Sequence, residues 1–338
     1  MEDGNKATYK YVFVCGLNRS GTTLLERNIG KLENCTSFKN RLKFDDTIEG
    51  WKLQDVYPPE FEFGGPGRYG FDSRAHLTES SGVLTPENVA RLRKAWHLFW
   101  DKSKTICVEK TPANLLMTRF LQAAFPHSYF IVVKRHPVPV SMATQRMWKV
   151  KVTSLHRLFE HWLRCYELFE EDKQHLRHVY ELTYEDYVRD PARYHREIAQ
   201  FIGTRIPEEA LEQPSAAHSK KYFDRWHELL TNSACRRYYR DIAEKYEPRF
   251  AKFGYSLTKG LFPAEEVRRW EGKPSAAVGI LYYLWADTCA FLLRFAKAKL
   301  DPKLLIKAVL PDFILAKIWR IRHRQILNEA KRFQLAGE

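Results

Sequence analysis

A short loop with the composition of an anion-binding site follows the first apolar stretch of the sequence. Residues 11–15, YVFVC, are strand-forming, and residues 16–23 read GLNRSGTT. The two glycines let the backbone turn, and the N–H groups at the start of a following helix attract negative charge. A nucleoside triphosphate loop carries lysine where Thr22 stands, whereas the cation here is Arg19, inside the loop. The loop therefore predicts a 5′-phosphate site that uses no metal ion. The residues expected to bind this group are Arg19, Ser20, Gly21, Thr22 and Thr23.

A second pattern with anion-binding chemistry begins where another apolar run ends. Residues 128–133, SYFIVV, are followed by KRHP, and proline is tolerated in the first turn of a helix. Arg135 therefore lies between a strand end and a helix start, and Ser141 and Thr144 can share one face of that helix. A guanidinium beside a hydroxyl at a helix N-terminus predicts a second phosphate site. Two such sites suggest a nucleotide with phosphates at both ends of its ribose, as in 3′-phosphoadenosine 5′-phosphosulfate (PAPS).

Alternating apolar and amphipathic segments must position these residues. Strands are predicted at 9–15, 105–109, 128–133 and 178–182. Helices are predicted at about 22–32, 86–101, 113–123, 138–149, 154–175, 191–202 and 232–253. This alternation predicts an α/β fold with a central parallel sheet flanked by helices. Ligands of such sheets bind at the carboxyl ends of the strands.

Composition narrows the class of partner. The 338 residues carry a net charge of +14, which favours polyanionic ligands or surfaces. Six cysteines stand at spacings that suit neither a metal site nor a redox pair, so we expect no metal. Cys15 and Cys107 fall in strand-like runs and are expected to be free, buried thiols. The N-terminal residues contain no apolar signal-peptide core, which indicates a reducing, cytoplasmic compartment.

Two stretches stand apart from the alternating pattern. Residues 58–82 are rich in Gly and Pro without a period and predict a long, functional surface loop. The apolar run at 276–293 contains Asp287, which disfavours a membrane span. We expect an α/β domain over 1–258 and a basic, amphipathic helical extension over 259–338. Within it, 276–338 fits either a membrane-surface helix or a helix that packs on the core or in a homodimer, and the sequence leaves these open.

The two anion-binding motifs resemble those of the PAPS-dependent sulfotransferases, which have a P-loop-like fold. GLNRSGTTLL at 16–25 resembles their 5′-phosphosulfate loop, and KRHPVPVS at 134–141 resembles their 3′-phosphate motif. The resemblance covers roughly residues 9–257. Many members carry lysine at the position of Arg19, and the helical serine of the 3′ motif is Ala143 here, so Ser141 or Thr144 must replace it.

The resemblance implies an enzyme of the EC 2.8.2 class. Such an enzyme moves the sulfuryl group of PAPS to a hydroxyl or amine and releases 3′,5′-bisphosphoadenosine. Lys110, in EKTPANL at 109–115, resembles a lysine that assists at the bridging oxygen, while Arg19 would stabilise the sulfuryl and leaving oxygens. For the base that takes the acceptor's proton, Glu49 is the first choice and His76 the second.

Two other classes compete with this interpretation. A nucleotide or small-molecule kinase using ATP and magnesium would share the fold and the first loop. It is disfavoured by Thr22 at the lysine position and by the lack of a clear acidic strand for magnesium. A nucleic-acid-binding module would fit the charge, but the basic residues lack interleaved stacking motifs. The sequence leaves open whether the acceptor is a glycan, a lipid or a small metabolite.

Overall fold

A five-stranded parallel sheet forms the centre of the fold. The computed structural model describes residues 9–39, 48–147, 154–208, 211–215, 217–232, 236–259 and 312–335. The strands are β1 (Lys10–Cys15), β2 (Cys35–Thr36), β3 (Ile106–Lys110), β4 (Ser128–Lys134) and β5 (Val179–Thr183). Their order is β2-β3-β1-β4-β5, and every pair is parallel. The predicted α/β fold is confirmed, with β2 as a strand that the sequence did not reveal.

Helices follow the strands in the expected alternation. In the described residues they are α1 (Thr22–Gly30), α2 (Pro86–His97), α3 (Thr118–Ala124), α4 (Pro137–Met147), α5 (Leu155–Lys173), α6 (Tyr184–Arg189), α7 (Pro191–Ile202), α8 (Ala217–Thr231), α9 (Arg236–Ala251) and α10 (Asp312–Leu335). The sequence did not predict α6 and α8. Proline lies in the first turn of α2, α4 and α7, where its missing N–H is tolerated.

The two faces of the sheet carry different side chains, because successive residues of a strand point to opposite sides. Val12 and Val14 of β1 are fully buried in a largely aliphatic cluster that includes Ile29 of α1. On the other face Phe13 packs against Trp96 of α2, with ring centroids 6.3 Å apart. Helices therefore cover both faces, which explains why the run at 11–15 is apolar throughout.

The strand order changes direction at the end of β1. This strand lies between β3 and β4, with Val14 in register with Lys110 on one side and Ile131 on the other. From β1 the chain runs to β2 and β3 on one side of this strand, and it then crosses β1 to reach β4 and β5 on the other side. Ligand sites of open α/β sheets form at such a point, and the Gly16–Thr23 loop begins there.

The structure divides into two compact units, and the division passes through α5. The first unit comprises 1–135, 164–215 and 312–338 and contains the sheet. The second comprises 136–163 and 216–311, and in it α8 packs against both α4 and α9. The boundary expected at residue 258 stays a prediction. None of the described helices has the length and apolar composition to cross a membrane, and the apolar run at 276–293 lies outside the described residues.

Helix α10 packs on the first unit along one of its faces. The Trp319 ring stacks on Phe61 with centroids 5.4 Å apart and an interplanar angle of 25°. Nε2 of His323 lies 3.0 Å from the carbonyl oxygen of Trp51, which accepts a hydrogen bond from the ring. One face of the basic extension therefore contacts the chain's own fold.

The 58–82 segment is less exposed than the sequence suggested. It forms three short 3₁₀ turns, at Glu60–Phe63, Tyr69–Phe71 and Ser73–Ala75. The side chain of Tyr69 is fully buried. The segment therefore combines buried positions with exposed ones at 58, 64, 73–74, 79–80 and 82, and it lies at the surface of the first unit. The expectation of free, buried thiols is confirmed for Cys15 and Cys107.

Candidate active site

The Gly16–Thr23 loop has the geometry that an anion-binding turn requires. Gly16 and Gly21 have φ angles of +151° and +99°, which favour glycine. A Cβ on Gly16 would lie 2.6 Å from the carbonyl oxygen of Val133, so β4 packs directly against the loop. Helix α1 begins at Thr22, and in the described chain no side chain caps it and no acidic residue lies in its first turn. Its first N–H groups are therefore available to an anion.

The two arginines that were predicted separately meet at this loop. Arg19 is exposed at the loop tip in a left-handed conformation, with φ of 74°. Arg135 is buried and donates from Nη1 to the carbonyl oxygen of Arg19 over 2.8 Å. Its guanidinium also lies over the ring of Tyr184, 4.1 Å from the centroid, and a Cβ on Gly21 would lie 2.6 Å from that ring. Tyr184, which lies outside the two anion-binding motifs, thus joins the loop to Arg135.

Lys110 ends β3 in a buried ion pair. Its Nζ donates to Oε1 of Glu49, and Oε2 of Glu49 accepts from Nε1 of Trp51 over 2.8 Å. Burial alone would lower the pKa of Lys110, but the charges of Glu49 and Glu26 raise it above its ordinary value. Lys110 therefore remains protonated at neutral pH. The structure brings together two residues that the sequence assigned to catalysis.

A buried glutamate that sequence reasoning missed anchors the segment carrying Glu49. Oε1 of Glu109 accepts from the N–H of Gly50 over 2.9 Å and from Oγ1 of Thr111 over 2.6 Å. Nδ2 of Asn114 donates to its other oxygen. Burial raises the pKa of Glu109 to about 7. The sequence signal for this role was a charged residue inside an apolar strand. A charged group that is buried there must be hydrogen-bonded or paired.

A second glutamate missed from sequence lies beside the loop. Nδ2 of Asn18 makes a long hydrogen bond of 3.4 Å to Oε1 of Glu60. Oε2 of Glu60 is buried and has no hydrogen-bond partner within the described ranges. Burial raises the pKa of Glu60 to about 8, and the charge of Glu49 adds to the rise. A glutamate in a Pro-rich, aperiodic stretch gave no sequence signal of burial.

The other predicted site residues have different surroundings. Nε2 of His76 lies 2.8 Å from Oδ2 of Asp172, a side chain that is 1% exposed. Ser141 and Thr144 belong to the second unit, where Ser141 is buried and Oγ1 of Thr144 donates to the carbonyl oxygen of Val140 over 2.7 Å. The roles assigned to all three stay predictions. In the part of the chain described, no group of His, Cys, Asp or Glu is arranged to hold a metal ion.

The arrangement can bind an anion and stabilise a developing negative charge. The start of α1 supplies oriented N–H groups, Arg19 supplies an exposed cation, and Lys110 supplies a buried ammonium at the end of β3. Donors fixed before the reaction stabilise charge on a leaving oxygen without reorganising. The site therefore suits transfer of a charged group from an anionic donor.

Comparison with known proteins identifies the class. A model of the sulfotransferase family matches residues 12–208, more than half of the chain. The match includes the Gly16–Thr23 loop, Lys110, Arg135 and Tyr184. The chain belongs to the sulfotransferase family. No curated protein matches it in sequence.

Solved sulfotransferases resemble the chain at low identity. A sulfotransferase from Mycobacterium avium has 13% identity and a TM-score of 0.44, over 73% of this chain and 76% of its own. The sulfotransferase domain from the curacin biosynthetic pathway has 13% identity and a TM-score of 0.41, over 71% of this chain and 98% of its own. Retinol dehydratase, in complex with androsterone and inactive cofactor PAP, has 17% identity and a TM-score of 0.36, over 74% of this chain and 81% of its own.

Proposed function

We propose that the chain transfers the sulfuryl group of PAPS to a hydroxyl or amine acceptor and releases 3′,5′-bisphosphoadenosine. Membership of the sulfotransferase family supports the reaction class. The observation that supports the choice of donor is the hydrogen bond from Arg135 to the backbone carbonyl of Arg19, which brings the Arg135 guanidinium to the loop that carries Arg19. Together with the start of α1 the two arginines suit a ligand that carries two separate phosphate groups.

Each element has a role in an in-line displacement at sulfur. The 16–23 loop binds the 5′-phosphosulfate through its backbone N–H groups and Arg19, and Arg135 binds the 3′-phosphate. Holding donor and acceptor in line converts the encounter into an effectively unimolecular step. Lys110 donates to the bridging oxygen and offsets the charge that develops as the S–O bond breaks. For this, its ammonium exchanges part of its contact with Glu49 for the donor.

Thermal melts test the choice of donor. The wild type is melted with 3′,5′-bisphosphoadenosine and, separately, with ATP and Mg²⁺. A ligand at a hundred times its dissociation constant stabilises by about 2.7 kcal/mol, so we expect a clear upward shift with the bisphosphate alone. Arg135→Ala should lose the shift, while the matched control Arg193→Ala, an exposed arginine paired with Glu197, should keep it. Stabilisation by ATP·Mg²⁺ and not by the bisphosphate would contradict the choice of donor and favour the kinase alternative.

The outward face of α10 fits an anionic membrane surface as a further partner. Ile318 and Ile321 are 46% and 53% exposed. The exposed side chains of Lys317, Arg322 and Arg324 lie on the same helix. Isoleucines among cations are typical of a helix that lies on a bilayer, where each basic residue contributes about 1 kcal/mol. We infer that this face docks on anionic lipid; a homodimer is the competing occupant.

A further inference from the structure

Helix α10 lies beyond residues 12–208, which match the family, yet one of its faces packs on the first unit. Four residues have the i, i+4, i+7, i+11 spacing of a single helical face: Trp319, His323, Ile326 and Ala330. Ile326 and Ala330 are only 4% and 2% exposed. The helix packs against the short turns at Gly50–Leu53 and Glu60–Phe63. It therefore covers the segment that follows Glu49.

This face of α10 holds the side chain of Trp51. The Trp51 carbonyl accepts a hydrogen bond from Nε2 of His323 over 3.0 Å, and the two ring centroids are 5.6 Å apart. Phe61 contacts the rings of both Trp51 and Trp319, with centroids 5.3 Å and 5.4 Å away. Trp51 is 8% exposed. The position of its indole therefore depends on His323 directly and on Trp319 through Phe61.

The indole of Trp51 in turn holds one oxygen of Glu49. Its Nε1 donates to Oε2 of Glu49 over 2.8 Å, and the other oxygen, Oε1, accepts from Nζ of Lys110. The backbone at Gly50 is anchored separately, because its N–H donates to Glu109 over 2.9 Å. The contacts from α10 therefore act mainly on Trp51 and on its hydrogen bond to Glu49.

We propose that α10 positions the Glu49–Lys110 pair for the reaction, with His323 as a positioning residue that acts through Trp51. The proposal rests on the proposed role of Lys110 at the bridging oxygen. While Trp51 holds Oε2, the ammonium has one oxygen of Glu49 as its partner and can direct another N–H group to PAPS. When that hydrogen bond is lost, the carboxylate can rotate and present both oxygens to the ammonium. Lys110 is then held away from the bridging oxygen.

A small displacement of Lys110 is enough to change the rate. Misplacement by about 1 Å can lower a rate by about 100-fold. The binding of PAPS should change little, because its phosphates are assigned to the 16–23 loop and Arg135. A loss of positioning therefore lowers kcat and leaves the KM for PAPS unchanged, whereas a general loss of structure changes both.

Hydrogen exchange at the indole N–H of Trp51 tests the contact path. The full chain is isotopically labelled for NMR, and the Trp51 resonance is assigned by its loss in Trp51→Phe. His323→Leu removes the donor to the Trp51 carbonyl and should speed exchange by up to about tenfold, the change that loss of one hydrogen bond corresponds to. Gln325→Ala, at an exposed residue of the same helix, should leave the exchange rate unchanged. An unchanged rate in His323→Leu would overturn the proposal.

Turnover tests the consequence for catalysis. Release of bisphosphoadenosine from PAPS is followed with water as the acceptor, because Lys110 acts on the leaving oxygen whatever the acceptor is. His323→Leu should lower kcat by about 10- to 100-fold at an unchanged KM for PAPS. His323→Gln, whose amide N–H can replace the ring N–H, should restore most of the rate, and Gln325→Ala should behave as wild type. An unaltered bisphosphate melt shows that the variants are folded.

Two turnover results would overturn the proposal. One is a wild-type kcat in His323→Leu. The other comes from a double-mutant cycle with Trp51→Phe, which removes the indole N–H but keeps an aromatic ring. Residues that act along one path are not additive, so His323→Leu should lower kcat little further in the Trp51→Phe background. If the two losses multiply, His323 does not act through Trp51.

Lys110→Met separates failure of this proposal from failure of the proposed function. A wild-type kcat in Lys110→Met would remove the role of Lys110 at the bridging oxygen. The exchange rate of the Trp51 indole would still report whether α10 holds Trp51 against Glu49. Loss of kcat in Lys110→Met but not in His323→Leu would leave the proposed function intact and remove the positioning role of α10.

Discussion

Replacing Glu109 by glutamine should remove a pH-dependent part of the free energy of unfolding. Glu109 is 1% exposed, and burial raises its pKa from 4.5 to about 7. Between these values the folded chain keeps a proton that the unfolded chain has lost. The wild-type free energy of unfolding therefore falls as the pH rises through this window. The pKa difference corresponds to about 3 kcal/mol, at about 1.36 kcal/mol for each pH unit.

Glutamine is neutral at every pH and contributes none of this slope. Its oxygen can still accept from Gly50 and Thr111, but its amide nitrogen would face the amide nitrogen of Asn114, a donor against a donor. An unsatisfied buried group costs about 1–3 kcal/mol. The variant should therefore be less stable than the wild type at pH 5, and the difference should close by pH 8.

Urea unfolding followed by tryptophan fluorescence measures this difference at pH 5, 6.5 and 8. The control Glu62→Gln lies outside the buried cluster and should run parallel to the wild type at each pH. If the difference in free energy of unfolding between the wild type and Glu109→Gln stays constant with pH, the reasoning is refuted. It would mean that Glu109 titrates alike in the folded and unfolded chain.

Three further perturbations address the loop, the ammonium and the outer helix. Gly21→Ala should destabilise the fold by about 1–3 kcal/mol and weaken bisphosphate binding. The new Cβ would lie 2.6 Å from the Tyr184 ring, and the backbone φ of +99° disfavours any residue with a Cβ. Thermal melts with and without the bisphosphate measure both effects. Lys110→Met should lower kcat by about 100-fold or more while bisphosphate binding, measured by calorimetry, is largely kept. Joint replacement of Ile318 and Ile321 by serine should reduce sedimentation with phosphatidylserine vesicles at an unchanged melting temperature; unreduced sedimentation would remove the membrane proposal.

The sheet could be predicted because its strands are short, apolar runs. The strand predicted at 9–15 is Lys10–Cys15, since burial on both faces leaves no polar position in its interior. β2 is two residues long, too short for any period to appear. The helix predicted at 113–123 divides into a 3₁₀ turn at Pro112–Leu116 and α3. Helical periodicity does not distinguish these two backbones over so few residues.

α8 was missed although it carries a readable signal. Its buried residues Trp226, Leu229 and Leu230 have the i, i+3, i+4 spacing of an amphipathic helix. The basic run HSKK at 218–221 forms the start of the same helix and contributes no apolar residue to that spacing.

The candidate site residues that could be predicted are those at or shortly after the end of a strand. Arg19, Lys110 and Arg135 all stand close after apolar runs, and parallel strands bring their carboxyl ends to one edge. Glu60 could not be found this way, because its burial comes from a segment that folds back onto the first unit without a repeating pattern. Tyr184 was similarly obscured, since its importance lies in its contact with Arg135 across the sheet edge.

The contacts of α10 also constrain the timing of synthesis. Arg320 binds Glu62 across 258 residues of chain, and His323 binds Trp51 across 272. At about 5–20 residues per second, roughly ten seconds to a minute separate translation of the 51–63 segment from translation of the helix that covers it. Until α10 is made, the aromatic rings of the 51–63 segment are not covered by this helix, and exposed apolar surface promotes aggregation. Slower translation after residue 63 lengthens the interval, so codon choice and chaperone supply should influence the yield of active protein.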